Sequence, residues 1–159
     1  MLKEDGSIDW VNKAPKGGYV LDCNGKAIKD EHIPHIGDVI DRYGSSSGRY
    51  TSPVINNQPY SYDQRSLPFV EDPSQYHQYK VVGDFTKLEQ YIKECPDNTL
   101  KDEINEYIDT YYEGDFSKLK VYQGEIAEVN GWGKGGGMQL EFPLKVEWLE
   151  KLGMLQEIK

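Results

Sequence analysis

Residues 119–143 read LKVYQGEIAEVNGWGKGGGMQLEFP, and this stretch decides the fold class. Residues 119–129 alternate in polarity and carry β-branched side chains, which predicts a strand. A glycine-rich loop at 131–137 follows, and residues 138–143 predict another strand. Two strands joined by so short a loop are typical of an antiparallel hairpin, because parallel strands need a longer crossover.

Further strands are predicted on either side of this hairpin. Residues 76–82 alternate as a strand does, and residues 155–158 predict an edge strand. Between the hairpin and that edge strand, residues 146–152 predict a short helix that ends at Gly153.

Residues 84–115 change to a helical period. Apolar side chains recur at helical spacing from Leu88 to Cys95 and again from Leu100 to Tyr111, with Asp97 or Asn98 as the cap of the second helix. Strands and helices do not alternate along the chain. The sequence therefore predicts an α+β fold with a mostly antiparallel sheet core and a helical insertion.

Composition and charge limit the classes of function. The chain has 159 residues, enough for a single domain, and a formal net charge of −9. An acidic protein is a poor candidate for binding nucleic acid or an anionic membrane. The two cysteines, Cys23 and Cys95, are too few for a disulfide framework, and we expect both to be reduced.

The charge is concentrated in the two predicted helices. Residues 84–115 contain ten acids and three lysines, a balance of −7. Such a segment is usually a solvated helix face, and the alternative is a docking surface for a basic partner.

All three arginines lie within 24 residues, at Arg42, Arg49 and Arg65. Arginine suits bidentate binding of phosphate or carboxylate, so the cluster indicates either an anion site or ordinary ion pairs. The glycine loop is followed by neither the basic residue nor the helix of a phosphate-binding loop. It is either a flexible hairpin loop or a close approach of backbone to a ligand beside Gln139. No metal site is predicted, because Pro34 interrupts the spacing of His32 and His35.

Several short motifs arrive in one order and resemble the tuberculosis necrotizing toxin domain family of NAD(P)+ glycohydrolases. They are Asp41-Arg42-Tyr43-Gly44, Gly48-Arg49-Tyr50, Arg65-Ser66-Leu67-Pro68, Tyr76-His77-Gln78-Tyr79, Gly124-Glu125-Ile126-Ala127 and Gly135-Gly136-Gly137-Met138-Gln139. The resemblance runs from about Gly37 to the C-terminus. Glu128 and the acidic segment depart from the family pattern.

The resemblance implies an ADP-ribosyltransferase-like toxin fold and a set of site residues. The fold would be a single domain over 1–159, with a lead-in at 1–36 and an acidic helical insertion at 84–116. The implied catalytic residues are Arg42, Tyr50, His77 and Gln139. The implied substrate-binding residues are Arg42, Arg49, Tyr50, Arg65, His77, Gly136 and Gly137.

The resemblance also implies that NAD+, with NADP+ as an alternative, is the substrate and that no cofactor or metal is needed. Nicotinamide leaves as a neutral pyridine, so an oriented water and stabilisation of an oxocarbenium-like ribose would suffice. Two alternatives remain: an ADP-ribosyltransferase, for which Glu125, Glu128 and Glu141 are the acids near the loop, and an inactive nucleotide-binding module.

A toxin of this family implies a cognate immunity protein, expected to cover the NAD+ cleft. It also implies secretion within a larger chain and action in the cytoplasm of a target cell. Neither a nucleic acid nor a membrane is an expected partner.

Overall fold

A single antiparallel sheet organises the parts of the chain that the computed structural model describes, residues 15–67, 73–130 and 132–158. Within these ranges its seven strands are β1 (Asp30–Glu31), β2 (Val39–Tyr43), β3 (Tyr50–Pro53), β4 (Tyr76–Val81), β5 (Tyr122–Glu125), β6 (Met138–Glu141) and β7 (Leu155–Ile158), and every neighbouring pair is antiparallel. The α+β prediction is confirmed. The order of the strands across the sheet is β1-β5-β6-β3-β2-β4-β7.

Three α-helices accompany the sheet in the described ranges: α1 (Leu88–Lys93), α2 (Asn98–Tyr112) and α3 (Val146–Lys151). None of them is long and apolar enough to cross a membrane. Short 3-10 turns lie at Pro15–Gly18, Asp63–Arg65, Pro73–Gln75, Phe85–Lys87 and Phe116–Lys118. Residues 1–14 of the lead-in, Pro68 of the third motif and Gly131 of the glycine loop lie outside the described residues.

The predicted strand at 119–129 is shorter in the structure. Only β5 is regular, although the Ile126 amide still donates to the Gly137 carbonyl at 2.7 Å. Gly135 and Gly136 have φ angles of +74° and +92°, and these positive angles end the extended backbone of the strand that faces β5. The glycine loop thus sets the length of the hairpin.

The helical pair is part of the core as well as an acidic surface. Asp97 caps α2 as predicted, accepting a hydrogen bond from the Leu100 amide at 3.1 Å. The apolar faces of α1 and α2 pack into one buried cluster with the segment after β6 and with α3. The buried helix residues are Leu88, Ile92, Leu100, Ile104 and Ile108. The acids Asp102, Glu103 and Glu106 are exposed on the opposite side, as expected of a solvated face.

The sheet changes partner within β3. Its first two residues, Tyr50 and Thr51, pair with β6, whereas Ser52 and Pro53 pair with β2. On the N-terminal side of Ser52, β2 and β3 therefore separate towards the loop that joins them. We call this point the junction.

Candidate active site

A cleft of about 600 Å³ opens at the junction, a size that suits a small-molecule ligand. Strands β2 and β3 form its floor, and the lead-in forms one wall. Its lining residues are Lys16, Gly17, Gly18, Asp41, Arg42, Tyr43, Gly48, Tyr50, Thr51, Ser52, Arg65, Ser66, Leu67, Ile126, Val129 and Gln139. Arg42, Tyr50 and Gln139, three of the four catalytic residues expected from the sequence, therefore line one cleft.

Arg42 bridges the gap that opens between β2 and β3. Its Nε donates to the Ser45 carbonyl and its Nη1 to the Tyr50 carbonyl, both at 2.7 Å. A Cβ at position 48 would overlap the guanidinium, so glycine there leaves room for Arg42 in this position.

The charge of Arg42 has no acidic partner among the residues that the structure describes. Burial lowers the pKa of its guanidinium, and no carboxylate of the described ranges forms an ion pair with it. A partly buried cation without a carboxylate favours the binding of an anion.

Tyr50 and Gln139 face the lead-in. Burial, with a smaller effect of Glu141, raises the pKa of the Tyr50 hydroxyl, which is therefore neutral at pH 7. A Cβ at Gly17 would lie 2.9 Å from that hydroxyl oxygen. The Gln139 Nε2 donates to the Gly17 carbonyl at 2.8 Å. The Gln139 side chain also forms a hydrogen bond with the Tyr19 side chain, so two contacts orient its amide at the cleft.

Arg65 lines the cleft, but its charge is neutralised. Nη1 and Nη2 donate to the two carboxylate oxygens of Asp41, each at 2.7 Å, and both side chains are buried. Asp41 also accepts the Tyr76 hydroxyl at 2.6 Å. A bidentate pair of this kind holds the 60–66 segment against β2. Arg65 is thus paired with Asp41 in the structure, and its expected contact with a phosphate stays a prediction.

Arg49 and His77 are not among the residues that line the cleft. Arg49 donates from Nη1 to the Phe142 carbonyl at 2.9 Å and lies 3.8 Å from Glu141. His77 lies opposite Arg42 in the β2–β4 ladder, and its Nδ1 is 3.1 Å from Glu157. Arg49 directly precedes Tyr50 in the sequence, but its guanidinium bonds to the Phe142 carbonyl and does not line the cleft.

The glycine loop has a structural role. The Gly136 amide donates to the Ile126 carbonyl at 2.8 Å and the Gly137 amide to the Gln64 carbonyl at 3.1 Å. A Cβ at Gly133 would collide with the Asp63 carbonyl. These amides are bound to protein oxygens, which ties the loop to the rest of the fold, and the expected substrate contacts of Gly136 and Gly137 stay a prediction.

Sequence reasoning missed the lead-in wall at Lys16, Gly17 and Gly18. The only local signal is a basic residue before two glycines, which many loops share. In the described ranges, no group of three or more His, Cys, Asp or Glu side chains is arranged to hold a metal ion.

Two comparisons with known proteins found a similarity to this chain. Residues 35–97 match the family model of the tuberculosis necrotizing toxin, which confirms the resemblance for that segment. The chain is also similar to a solved structure, the tuberculosis necrotizing toxin complexed with its immunity factor. That similarity has 16% identity and a TM-score of 0.47, and covers 98% of this chain and 74% of the other. No curated protein matches.

Proposed function

We propose that this chain is an NAD+ glycohydrolase toxin domain that releases nicotinamide and ADP-ribose. One observation carries the proposal: Arg42, Tyr50 and Gln139, which the toxin resemblance implies, line the same cleft although 97 positions separate the first from the last. The segment matched by the toxin family model contains the first two, and Gln139 lies outside it.

Electrostatics support an anionic substrate in this acidic protein. The net charge of −9 repels a dinucleotide diphosphate in general. Arg42 supplies a local cation that no carboxylate of the described residues neutralises. A diphosphate oxygen beside its guanidinium would accept the charge-assisted hydrogen bonds that a planar donor makes best.

The reaction needs few groups. The bond between ribose C1′ and the nicotinamide nitrogen breaks, and its electron pair leaves with the neutral nicotinamide. Water adds to C1′ and loses a proton to solvent, giving ADP-ribose. The Gln139 Oε1, held by the contact of Nε2 with Gly17, would accept a hydrogen bond from that water or from a ribose hydroxyl. The neutral Tyr50 ring and hydroxyl would pack against the nicotinamide–ribose end.

The remaining site residues take different parts in this proposal. His77 lies on β4, paired with Arg42 on the neighbouring strand β2, and would donate to a phosphate or ribose oxygen from that position. Arg49 and Arg65 support the walls, because their guanidinium groups are bonded to protein oxygens. NADP+ is included as an alternative substrate, and no cofactor or metal takes part.

The proposal extends to fold, partner and place of action. The ADP-ribosyltransferase-like toxin fold is supported by an antiparallel sheet that divides around a cleft. A cognate immunity protein would cover this cleft, with the acidic helical pair as a second contact. The domain would be secreted within a longer chain and would act in the cytoplasm of the target cell.

Incubation with NAD+ alone tests the proposal, with nicotinamide and ADP-ribose followed by mass spectrometry over many turnovers. Release of both products is expected. Modification of an added protein would instead indicate a transferase, and the absence of both would indicate a binding module.

Two variants test the roles of the residues. Gln139→Ala should lower kcat by about 100-fold or more, because its contacts act mainly in the transition state. Arg42→Ala should raise KM more than it lowers kcat, because it removes uniform binding of the diphosphate. Gln156→Ala, on the exposed side of β7, is the matched control and should behave as wild type. A wild-type rate for Gln139→Ala would refute that assignment.

A further inference from the structure

The lead-in forms a wall of the cleft, although it precedes the segment that the toxin family model matches. Three contacts hold it there. Gly17 accepts from Gln139, Gly18 accepts from the Ala127 amide at 2.9 Å, and Tyr19 forms a bridge with Ile126. The segment is therefore held against the hairpin at Gly17, Gly18 and Tyr19, directly after Lys16.

The backbone of this wall has an unusual conformation. Lys16, Gly17 and Gly18 have φ angles of +57°, +75° and +81°. The left-handed region is readily adopted by the two glycines and disfavoured by a lysine. The contacts of Gly17, Gly18 and Tyr19 hold the chain directly after Lys16, and residues with a strained backbone cluster at ligand sites.

The charges that line the cleft leave two cations uncompensated. Asp41 and Arg65 neutralise each other. Lys16 is exposed, and neither its side chain nor that of Arg42 forms an ion pair with a carboxylate in the described part of the chain. A cleft with two such cations is matched by a ligand with two negative charges, such as a diphosphate diester.

We propose that Lys16 is a substrate-binding residue that holds the diphosphate of the dinucleotide together with Arg42. This inference rests on the proposed function. It adds a cation from outside the motifs that carry the toxin resemblance. As a flexible point charge, Lys16 would follow the diphosphate without fixing its orientation, which Arg42 would do.

The test compares Lys16→Ala, Lys16→Arg and the control Lys26→Ala, an exposed lysine of the same lead-in that does not line the cleft. Lys16→Ala should raise the KM for NAD+ by about 10-fold, the loss of one charge-assisted hydrogen bond, with kcat within about 2-fold of wild type. Lys16→Arg should restore most of the KM, and Lys26→Ala should leave it unchanged.

Calorimetric titration provides a readout that needs no turnover. ADP-ribose should bind Lys16→Ala about 10-fold more weakly than wild type, whereas nicotinamide riboside, which has no phosphate, should bind both equally. Thermal unfolding checks that the variants are folded.

The outcomes separate this inference from the proposed function. If wild type hydrolyses NAD+ but Lys16→Ala keeps the wild-type KM and ADP-ribose affinity, only the role of Lys16 is refuted. The same conclusion follows if Lys26→Ala weakens binding as much. A wild type that binds ADP-ribose without releasing nicotinamide refutes the hydrolase, and Lys16 is then judged from the titration alone. A wild type that binds no ADP-ribose overturns both.

Discussion

Arg65→Ala should destabilise the fold rather than weaken substrate binding. The guanidinium of Arg65 makes both hydrogen bonds of a bidentate pair with Asp41, and its Nε donates to the Tyr60 carbonyl at 3.0 Å. Asp41 is 0% exposed and Arg65 6%. After the substitution, the Asp41 carboxylate would keep one described hydrogen-bond donor, the Tyr76 hydroxyl.

The magnitude follows from that burial. Removing one partner of a buried ion pair costs about 3–5 kcal/mol, because the other charge stays buried without compensation. At about 2–4 °C per kcal/mol for a chain of this size, Tm should fall by roughly 6–20 °C. Arg65→Lys should also destabilise, because an ammonium cannot make the bidentate contact.

Urea unfolding followed by tryptophan fluorescence measures the loss. Asp102→Asn, an exposed position on α2, is the control and should change the free energy of unfolding by less than about 0.5 kcal/mol. The reasoning is refuted if Arg65→Ala unfolds at the wild-type urea concentration. If that variant also raises the KM for NAD+, Arg65 is a substrate ligand, as the arginine cluster first suggested.

Three further results are expected. Asp97→Ala should lower the free energy of unfolding by about 1 kcal/mol in urea titration, because it removes the cap of α2; no change would exclude the cap. Burial raises the pKa of Tyr112 from 10.0 to about 12, so the folded state keeps this proton while the unfolded state loses it, and stability should fall between pH 10 and 12. Tyr112→Phe should reduce that fall in urea midpoints measured at pH 9 and 11, whereas the exposed Tyr111→Phe should not. Both cysteines are free, so dithiothreitol should leave the rate of NAD+ hydrolysis unchanged. A loss of hydrolysis in dithiothreitol would mean that a disulfide is needed.

The features that the sequence determined by itself are local ones. Helix α2 and its Asp97 cap follow from the spacing of apolar residues and from a side chain that bonds an amide three residues on. Strands β4 and β7 and the turn at Gly153 are also readable, because each depends on a few consecutive residues. The resemblance of the motifs was enough to name Arg42, Tyr50 and Gln139 before their positions were known.

Only the tertiary structure decided what each charged group contacts. Three arginines that look alike in sequence have different partners: Arg42 bonds backbone carbonyls at the cleft, Arg49 turns to Phe142 and Arg65 pairs with Asp41. The contact of the glycine loop with the Gln64 carbonyl was likewise decided by the tertiary structure. Such contacts join residues far apart in the chain, and their energies depend on burial and geometry that no local pattern encodes.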